Sequence, residues 1–359
     1  MTSKSMLSGG VSRRAFLRGS AAASAALALA GCGQAAQSGS SDAASAGDAS
    51  STASSNASGD LAKISFVLDY TPNTNHTGIY VAQSKGFFAD EGLEVEIVQP
   101  ADGTAEGAIG TGQAQLGVSY QDYLAAAYDA GNTGLTAVAA VIQHNTSGIM
   151  SRAEDGITHA ALMEDHVYTT WDMAVEQATI KQVMTTDGGD FSKLKMVPFT
   201  VDDEVQGLKA NMFDCVWVYE GWAVQNAAVQ DYPVNYFSFK DMDDVFDFYT
   251  PVLAANNDFM KSNPDAVKAF LRAAKKGYEF AVEHPEDAAQ ILCDEVPELD
   301  SALVEASAKF LAGQYTADAS SWGAIDGKRW AAYFQWLNDN DLVENKLDVN
   351  AGFDTSYLA

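Results

Sequence analysis

From residue 61 onward, short apolar runs alternate with longer amphipathic ones. KISFVLDY (63–70) is an apolar run of strand length, and TGIYVAQSKG (77–86) reads as a short helix ended by Gly86. LEVEIVQP (93–100) alternates apolar and acidic positions, as a half-buried strand does. TAEGAIGTGQ (104–113) is a glycine-interrupted helix, and AQLGVSY (114–120) is the next strand. DYLAAAYDAG (122–131) and LTAVAAVIQ (135–143) repeat the unit. This rhythm predicts a parallel sheet with helices on both faces. A second unit follows: strand HVYTTW (166–171), helix DMAVEQATIKQVMTTDG (172–188), strand KLKMVPF (193–199), helix VDDEVQGLKAN (201–211) and strand DCVWVYE (214–220). The last part is largely helical. Asn263 is placed as an N-cap with Pro264 at the first helical position, and His284-Pro285 opens another helix in the same way. In DGKRWAAYFQWLNDN (326–340), Trp330, Phe334 and Leu337 share one face and are assigned to the core.

The N-terminal pattern is of another kind. VSRRAFLRGSAAASAALALAGC (11–32) places Arg13, Arg14 and Arg18 before an apolar run that is short for a membrane span. The run stops at Leu29-Ala30-Gly31-Cys32, which has the form of a lipobox, and the paired arginines resemble a twin-arginine export signal. Residues 1–31 are therefore read as an export signal. Residues 32–60, the lipidated Cys32 followed by small polar residues, are read as a flexible tether. The rest is divided into lobe 1, residues 62–152 plus 251–359, and lobe 2, residues 153–250. A chain of 359 residues is long for one core and suits two lobes. Export, a lipid anchor, a tether and two α/β lobes point to a monomeric solute-binding protein. Its ligand would lie outside the carboxyl ends of the strands.

Charge and chemistry narrow the choice. A net charge of −27 excludes a nucleic-acid binder, because phosphates would be repelled. Cys215 and Cys293 sit in apolar contexts and are read as isolated core thiols. The chain carries no nucleophile elbow and no P-loop, and the five histidines have no zinc-site spacing. No catalytic residue, metal or cofactor is assigned.

Candidate ligand-binding residues fall at the predicted strand ends. Tyr70 and Trp171 are stacking candidates. Asn73, Asn75 and His76 could donate to ring nitrogens, against turn and helix capping as the competing role. Tyr120, Gln121 and Tyr219 end strands at the cleft, and either Glu176 or Glu220 could accept from an exocyclic amine. His144, Asn145, Thr146 and Ser147 are placed at the cleft or hinge, whereas Trp217 is assigned to the core. These runs offer aromatics, amides and carboxylates, with Arg152 nearby. Anionic ligands, which want a guanidinium clamp, are thereby disfavoured, and a flat neutral or weakly basic heterocycle fits better.

YTPNTNHTGIYVAQSKGFFADEGLEVEIVQP (70–100) resembles ABC-transporter binding proteins for the thiamine pyrimidine precursor. The resemblance continues in AQLGVSYQDYLAA (114–126), AVIQHNTSGI (140–149), IKQVMTTDGGDFSKLKMVP (180–198), DCVWVYEGWA (214–223), FYTPVLAANNDF (248–259) and WGAIDGKRW (322–330). It implies a type II periplasmic-binding-protein fold of class α/β, with two doubly wound lobes joined by a hinge and the ligand cleft between them. It also implies a pyrimidine ligand, hydroxymethylpyrimidine or its N-formyl-aminomethyl relative, and an ABC permease as partner. Another flat heterocycle such as riboflavin or thiamine stays open. The wider family includes pyrimidine synthases that consume pyridoxal phosphate. This chain departs from them: Ser119 and Tyr123 stand where the synthases carry a lysine and a histidine, and VFDFYTP (245–251) replaces a cysteine-rich iron motif. Tyr70 stands where a tryptophan is common.

Overall fold

A computed structural model describes residues 61–100, 104–199 and 203–358, and all of them belong to one compact unit. The export segment 1–31, Cys32 and the tether to residue 60 lie outside the described residues.

Ten strands form two five-stranded sheets. The first has the order β2-β1-β3-β10-β4, from β1 (Ala62–Val67), β2 (Leu93–Val98), β3 (Leu116–Ser119), β4 (Leu135–Ala140) and β10 (Val252–Asn256). The second has the order β7-β6-β8-β5-β9, from β5 (Ser147–Arg152), β6 (Val167–Thr170), β7 (Lys195–Pro198), β8 (Cys215–Tyr219) and β9 (Val234–Ser238). Helices α1 (Thr77–Ser84), α2 (Phe87–Asp90), α3 (Ala105–Gly110) and α4 (Gln121–Asp129) belong to the first lobe. Helices α5 (Ala174–Thr186), α6 (Glu204–Lys209) and α7 (Gln225–Val229) belong to the second. The chain then returns through α8 (Asn257–Ser262), α9 (Pro264–Glu283), α10 (Pro285–Glu295), α11 (Ser301–Ala312) and α12 (Gly327–Asp339). None of the described helices is long and apolar enough to cross a membrane.

The expected two-lobe α/β fold is present, with two corrections. Residues up to 152 are assigned to lobe 1 by the sequence, but 147–152 form an unanticipated strand, β5, that pairs with β8 and β9 in the second sheet, so the chain changes sheets between Ala140 and Ser147. The sheets are also mixed rather than parallel throughout. β10 runs antiparallel to β3 and β4, and β5 antiparallel to β8 and β9. The reason is topological. A strand that passes straight from one sheet to the other, with no helical return, runs against the strands it joins: β5 follows β4 directly and inserts between β8 and β9. β10 does the same on the return.

The two crossings are tied to each other. Asn145 donates its backbone N–H to Asp247 Oδ1 at 2.9 Å and its Nδ2 to the Phe246 carbonyl at 2.8 Å. His144 Nδ1 lies 2.7 Å from Asp247 Oδ2, and Arg329 Nη1 of α12 donates to the same oxygen at 2.8 Å. The polar turn His144–Ser147 thus holds the crossings together. Cys215 is buried as expected, and both it and Cys293 are free thiols.

Helix α9 packs against α1 in the first-lobe core. Asn263 and Pro264 occupy the expected starting positions, although the Asn263 side chain makes no capping bond. The two helices approach through Gly78 and Gly277: a β-carbon on Gly277 would overlap the Gly78 carbonyl, and one on Gly78 would overlap the Tyr278 ring. Tyr278 is itself buried and donates to the Asn75 carbonyl at 2.8 Å, so this packing also fixes the loop after β1. Gly277→Ala should therefore lower the thermal midpoint. Overpacking against backbone costs about 3 kcal/mol, more than the roughly 1 kcal/mol of helix propensity that alanine gains over glycine. A thermal melt of the two proteins side by side checks it.

Candidate functional site

The loop after β1 is organised around one buried carboxylate. Asp69 Oδ1 lies 2.6 Å from His76 Nε2, and Asp69 Oδ2 accepts from the Tyr120 hydroxyl. His76 Nδ1 accepts the Asn73 N–H at 3.1 Å, so the ring proton sits on Nε2 and points at Asp69. Asn73 Oδ1 accepts the Asn75 N–H at 2.9 Å, which completes a reciprocal cap on the 3₁₀ turn Thr74–His76. Burial alone would raise the Asp69 pKa. The hydrogen bonds from His76 and the Tyr120 hydroxyl more than offset it and hold the carboxyl below its ordinary value. Burial pushes the Tyr120 phenol well above its ordinary range, with the Asp69 charge adding to it. The outcome is a rigid loop with Tyr70 standing out of it, 68% exposed.

The second lobe repeats the device with a different acid. Glu176, only 3% exposed, accepts from Tyr168 Oη at 2.6 Å, Thr170 Oγ1 at 2.8 Å and the Trp171 N–H at 3.0 Å. It also takes the Met173 N–H at 3.3 Å. The short loop before α5 needs Asp172 in the left-handed region, at φ 61°. The Trp171 ring is left 45% exposed, against the buried Trp217 at 5.6 Å between centroids. Trp217 is in the core as expected, although its Nε1 finds no partner among the described residues.

β8 ends at Tyr219, and Glu220–Val224 forms a π-helical turn before α7. Tyr219 keeps 38% of its surface exposed, and burial raises the Glu220 carboxyl above its ordinary value. Helix α11 reaches across to this turn. Ser307 Oγ donates to the Gly221 carbonyl and takes a hydrogen bond from Thr74 Oγ1 at 2.6 Å. One hydroxyl thus joins the first-lobe loop to the second-lobe turn.

The ten sequence candidates therefore separate. Tyr70, Trp171 and Tyr219 keep open ring surface, and Glu220 is half-buried. Asn73 caps the loop, while Asn75 supplies the Tyr278 acceptor through its carbonyl. Tyr120 donates to Asp69. His76, Glu176 and Gln121 turn inward. Gln121 is fully buried, donating Nε2 to the Trp330 carbonyl at 2.8 Å and accepting the Tyr249 N–H at 3.0 Å. Their hydrogen-bonding groups are occupied by protein, which the strand-end position of each could not reveal. Arg152 is likewise buried among Asp214, Asp155 and the Phe213 carbonyl. Sequence reasoning placed Asp69 and Asp122 within strand-end runs without assigning either a partner, and gave no role to Ser307. An acid closing an apolar strand run was the available signal for Asp69.

Two α/β lobes joined by paired crossings, with aromatics at the strand ends, define the periplasmic-binding class of fold. The chain superposes on the alkanesulfonate-binding protein SsuA from Xanthomonas axonopodis pv. citri with a TM-score of 0.62 at 12% identity, covering 81% of this chain and 97% of that one. For the aliphatic sulphonate binding protein SsuA from Escherichia coli the TM-score is 0.64 at 14% identity, covering 82% and 99%. The chain belongs to the NMT1/THI5 like family, whose model matches residues 73–288. It is 27% identical over 305 residues to the formylaminopyrimidine-binding protein of Halalkalibacterium halodurans, covering 82% of this chain and 90% of the relative. It is 24% identical over 252 residues to the 4-amino-5-hydroxymethyl-2-methylpyrimidine phosphate synthase THI11 of Saccharomyces cerevisiae, covering 67% and 73%.

The Asp69 network makes a pH-dependent prediction. Because its folded pKa lies below the ordinary carboxylate value of 3.8, Asp69 adds stability above about pH 4 that fades as pH falls toward the folded value. Asp69→Asn should lose about 2–4 kcal/mol at pH 7, with His76 and Tyr120 left facing a poorer acceptor. The gap from the parent should narrow below pH 4. Urea midpoints at neutral and acid pH measure it.

Proposed function

We propose that this chain is an extracytoplasmic solute-binding protein of an ABC importer. Its ligand is a thiamine pyrimidine precursor, hydroxymethylpyrimidine or its formylaminomethyl analogue, taken up for salvage. The observation that carries the reading is the pair of open aromatics, Tyr70 and Trp171, at strand ends of different lobes. Tyr219 and Glu220 stand close by in sequence at the end of β8. All three arginines among the described residues are paired with carboxylates: Arg152 with Asp214, Arg272 with Glu91 and Arg329 with Asp247. A flat nitrogen heterocycle suits such a cleft better than the sulfonates named for the structural neighbours. The Halalkalibacterium relative, which is named for a formylaminopyrimidine, supports the same ligand class.

The synthase reading draws on the yeast relative but lacks chemical support in this chain. Where the resemblance places a lysine, Ser119 is buried and donates to Glu106 Oε1 at 2.6 Å, so no amine stands there to form a Schiff base with pyridoxal phosphate. The protein acts as a monomer anchored by a lipid on Cys32, and the tether to residue 60 lets the two lobes reach the permease.

Calorimetry of the full chain tests the ligand. Both pyrimidines should bind, and pyridoxal phosphate, riboflavin and thiamine should not. Tyr70→Ala should weaken pyrimidine affinity about tenfold, the worth of one stacked ring. Binding of riboflavin or pyridoxal phosphate alone would sink the ligand assignment. The anchor has its own test: Cys32→Ser should move the protein from the membrane fraction to the soluble extracytoplasmic fraction.

A further inference from the structure

Helix α11 is anchored in the first lobe but leans on the second. Val304 and Ala308 pack with Ala289 and Leu292 of α10 and with Tyr80 of α1. Lys309 Nζ lies 2.9 Å from Glu286 Oε1 of α10. The helix also meets the second lobe at the π-helical turn Glu220–Val224. The packing there is close: a β-carbon on Gly221 would lie 3.1 Å from Leu311 Cδ2 and 3.3 Å from Phe310 Cδ1. Ser307 is fully buried at this contact and donates its hydroxyl to the Gly221 carbonyl.

The segments joined by this contact are those that carry the open aromatics. The one Ser307 hydroxyl proton is committed to Gly221, so its oxygen accepts from Thr74 Oγ1 at 2.6 Å. Thr74 belongs to the loop after β1, and its carbonyl is held within the first lobe by Tyr315 Oη at 2.9 Å and Thr77 Oγ1 at 2.8 Å. Tyr70 opens that loop, and Tyr219 ends β8 just before the turn that contains Gly221. The Thr74–Ser307 bond lies inside the first lobe, whereas the Ser307–Gly221 bond runs between lobes. Rotation of the second lobe about the crossings moves Gly221 relative to α11, so it has to stretch or break that second bond.

We propose that Ser307 is a positioning residue of the cleft, whose hydroxyl holds the turn after β8 to the loop after β1 and thereby limits how far the lobes open. The inference rests on the binding-protein reading above and assigns the group that restrains the motion. Ser307 acts through Gly221 and Thr74 and not on the ligand. Its bond to Gly221 favours the arrangement in which the lobes are close, and a ligand that touches both lobes binds that arrangement best. Without the bond, the unliganded lobes separate more often. The apparent affinity then falls with the population of the close arrangement, by about fivefold for one neutral hydrogen bond.

Small-angle scattering and calorimetry of the full chain test this on the parent, Ser307→Ala and Thr74→Val. Alanine removes the bond between lobes. Valine keeps the shape of threonine and removes only the bond inside the first lobe. Residues 1–60 are common to all three proteins, so differences in scattering report the lobes. Without ligand, Ser307→Ala should have a larger radius of gyration than the parent. Saturating 4-amino-5-hydroxymethyl-2-methylpyrimidine should bring the two to the same value. The affinity of Ser307→Ala for that pyrimidine should be about fivefold weaker. Thr74→Val should scatter as the parent does, although both variants lower the thermal midpoint. If unliganded Ser307→Ala scatters as the parent does, or binds the pyrimidine as tightly, this inference fails and the hydroxyl serves stability alone. Equal expansion in Thr74→Val also overturns it. A parent that binds no pyrimidine overturns the ligand reading, and the unliganded scattering then still decides the role of Ser307.

Discussion

The buried carboxylate of Asp69 organises the binding end of the first lobe. It stands just beyond the last residues of β1, where a strand runs out of backbone partners. A charge there is tolerable only with donors, and His76 and Tyr120 supply them. Those two residues come from different parts of the chain. The loop Tyr70–Asn75 is therefore anchored at once to the strand, to the start of α1 and to the start of α4. Asn73 fixes the tautomer of His76 from the other side, so the network has one arrangement. An exposed aromatic such as Tyr70 presents a defined face only on so rigid a base.

The second lobe reaches the same end by other means. Glu176 occupies the corresponding place after β6, but it is satisfied by hydroxyls and backbone N–H groups rather than by a histidine. The two ends are linked through Ser307, whose hydroxyl touches both Thr74 and the Gly221 carbonyl. The crossings are held by Asp247, which gathers His144, Asn145 and Arg329. The lobes are thus joined at two separate places, at the crossings and through α11. Motion of one lobe against the other has to alter at least one of these sets of bonds.

Charge in this protein is mostly negative, and the fold separates acids by what surrounds them rather than by where they fall in sequence. Asp69, Glu106 and Glu176 serve the structure because each meets donors of its own lobe. Asp122 is left with one oxygen, Oδ1, that meets no donor among the described residues. The same separation removes the arginines, since all three among the described residues already have carboxylate partners. What remains open is aromatic surface at Tyr70, Trp171 and Tyr219, which suits a flat ring.

The sequence by itself determined seven of the strands and the helices between them, because periodicity reports which face of each segment is buried, but it did not mark β5, β9 or β10. Gly86 ends α1 in the left-handed conformation as read, and Pro264 and Pro285 begin their helices where expected. Tyr70, Trp171 and Tyr219 were legible as strand-end aromatics and remain exposed. Strand direction was not legible, since an apolar run carries no arrow. β5 and β10 are antiparallel to their neighbours because each enters its sheet directly from the other lobe and inserts between two strands of the opposite direction. The fate of each polar group was also decided in three dimensions. Gln121 and Asp122 are adjacent, both polar and both at the start of α4. One turns into the core to meet Trp330 and Tyr249, 209 and 128 positions away, and the other leaves its Oδ1 without a donor among the described residues. Periodicity can assign a residue to a helix face, but whether a donor waits there depends on segments far away in sequence, and only the assembled fold brings them together.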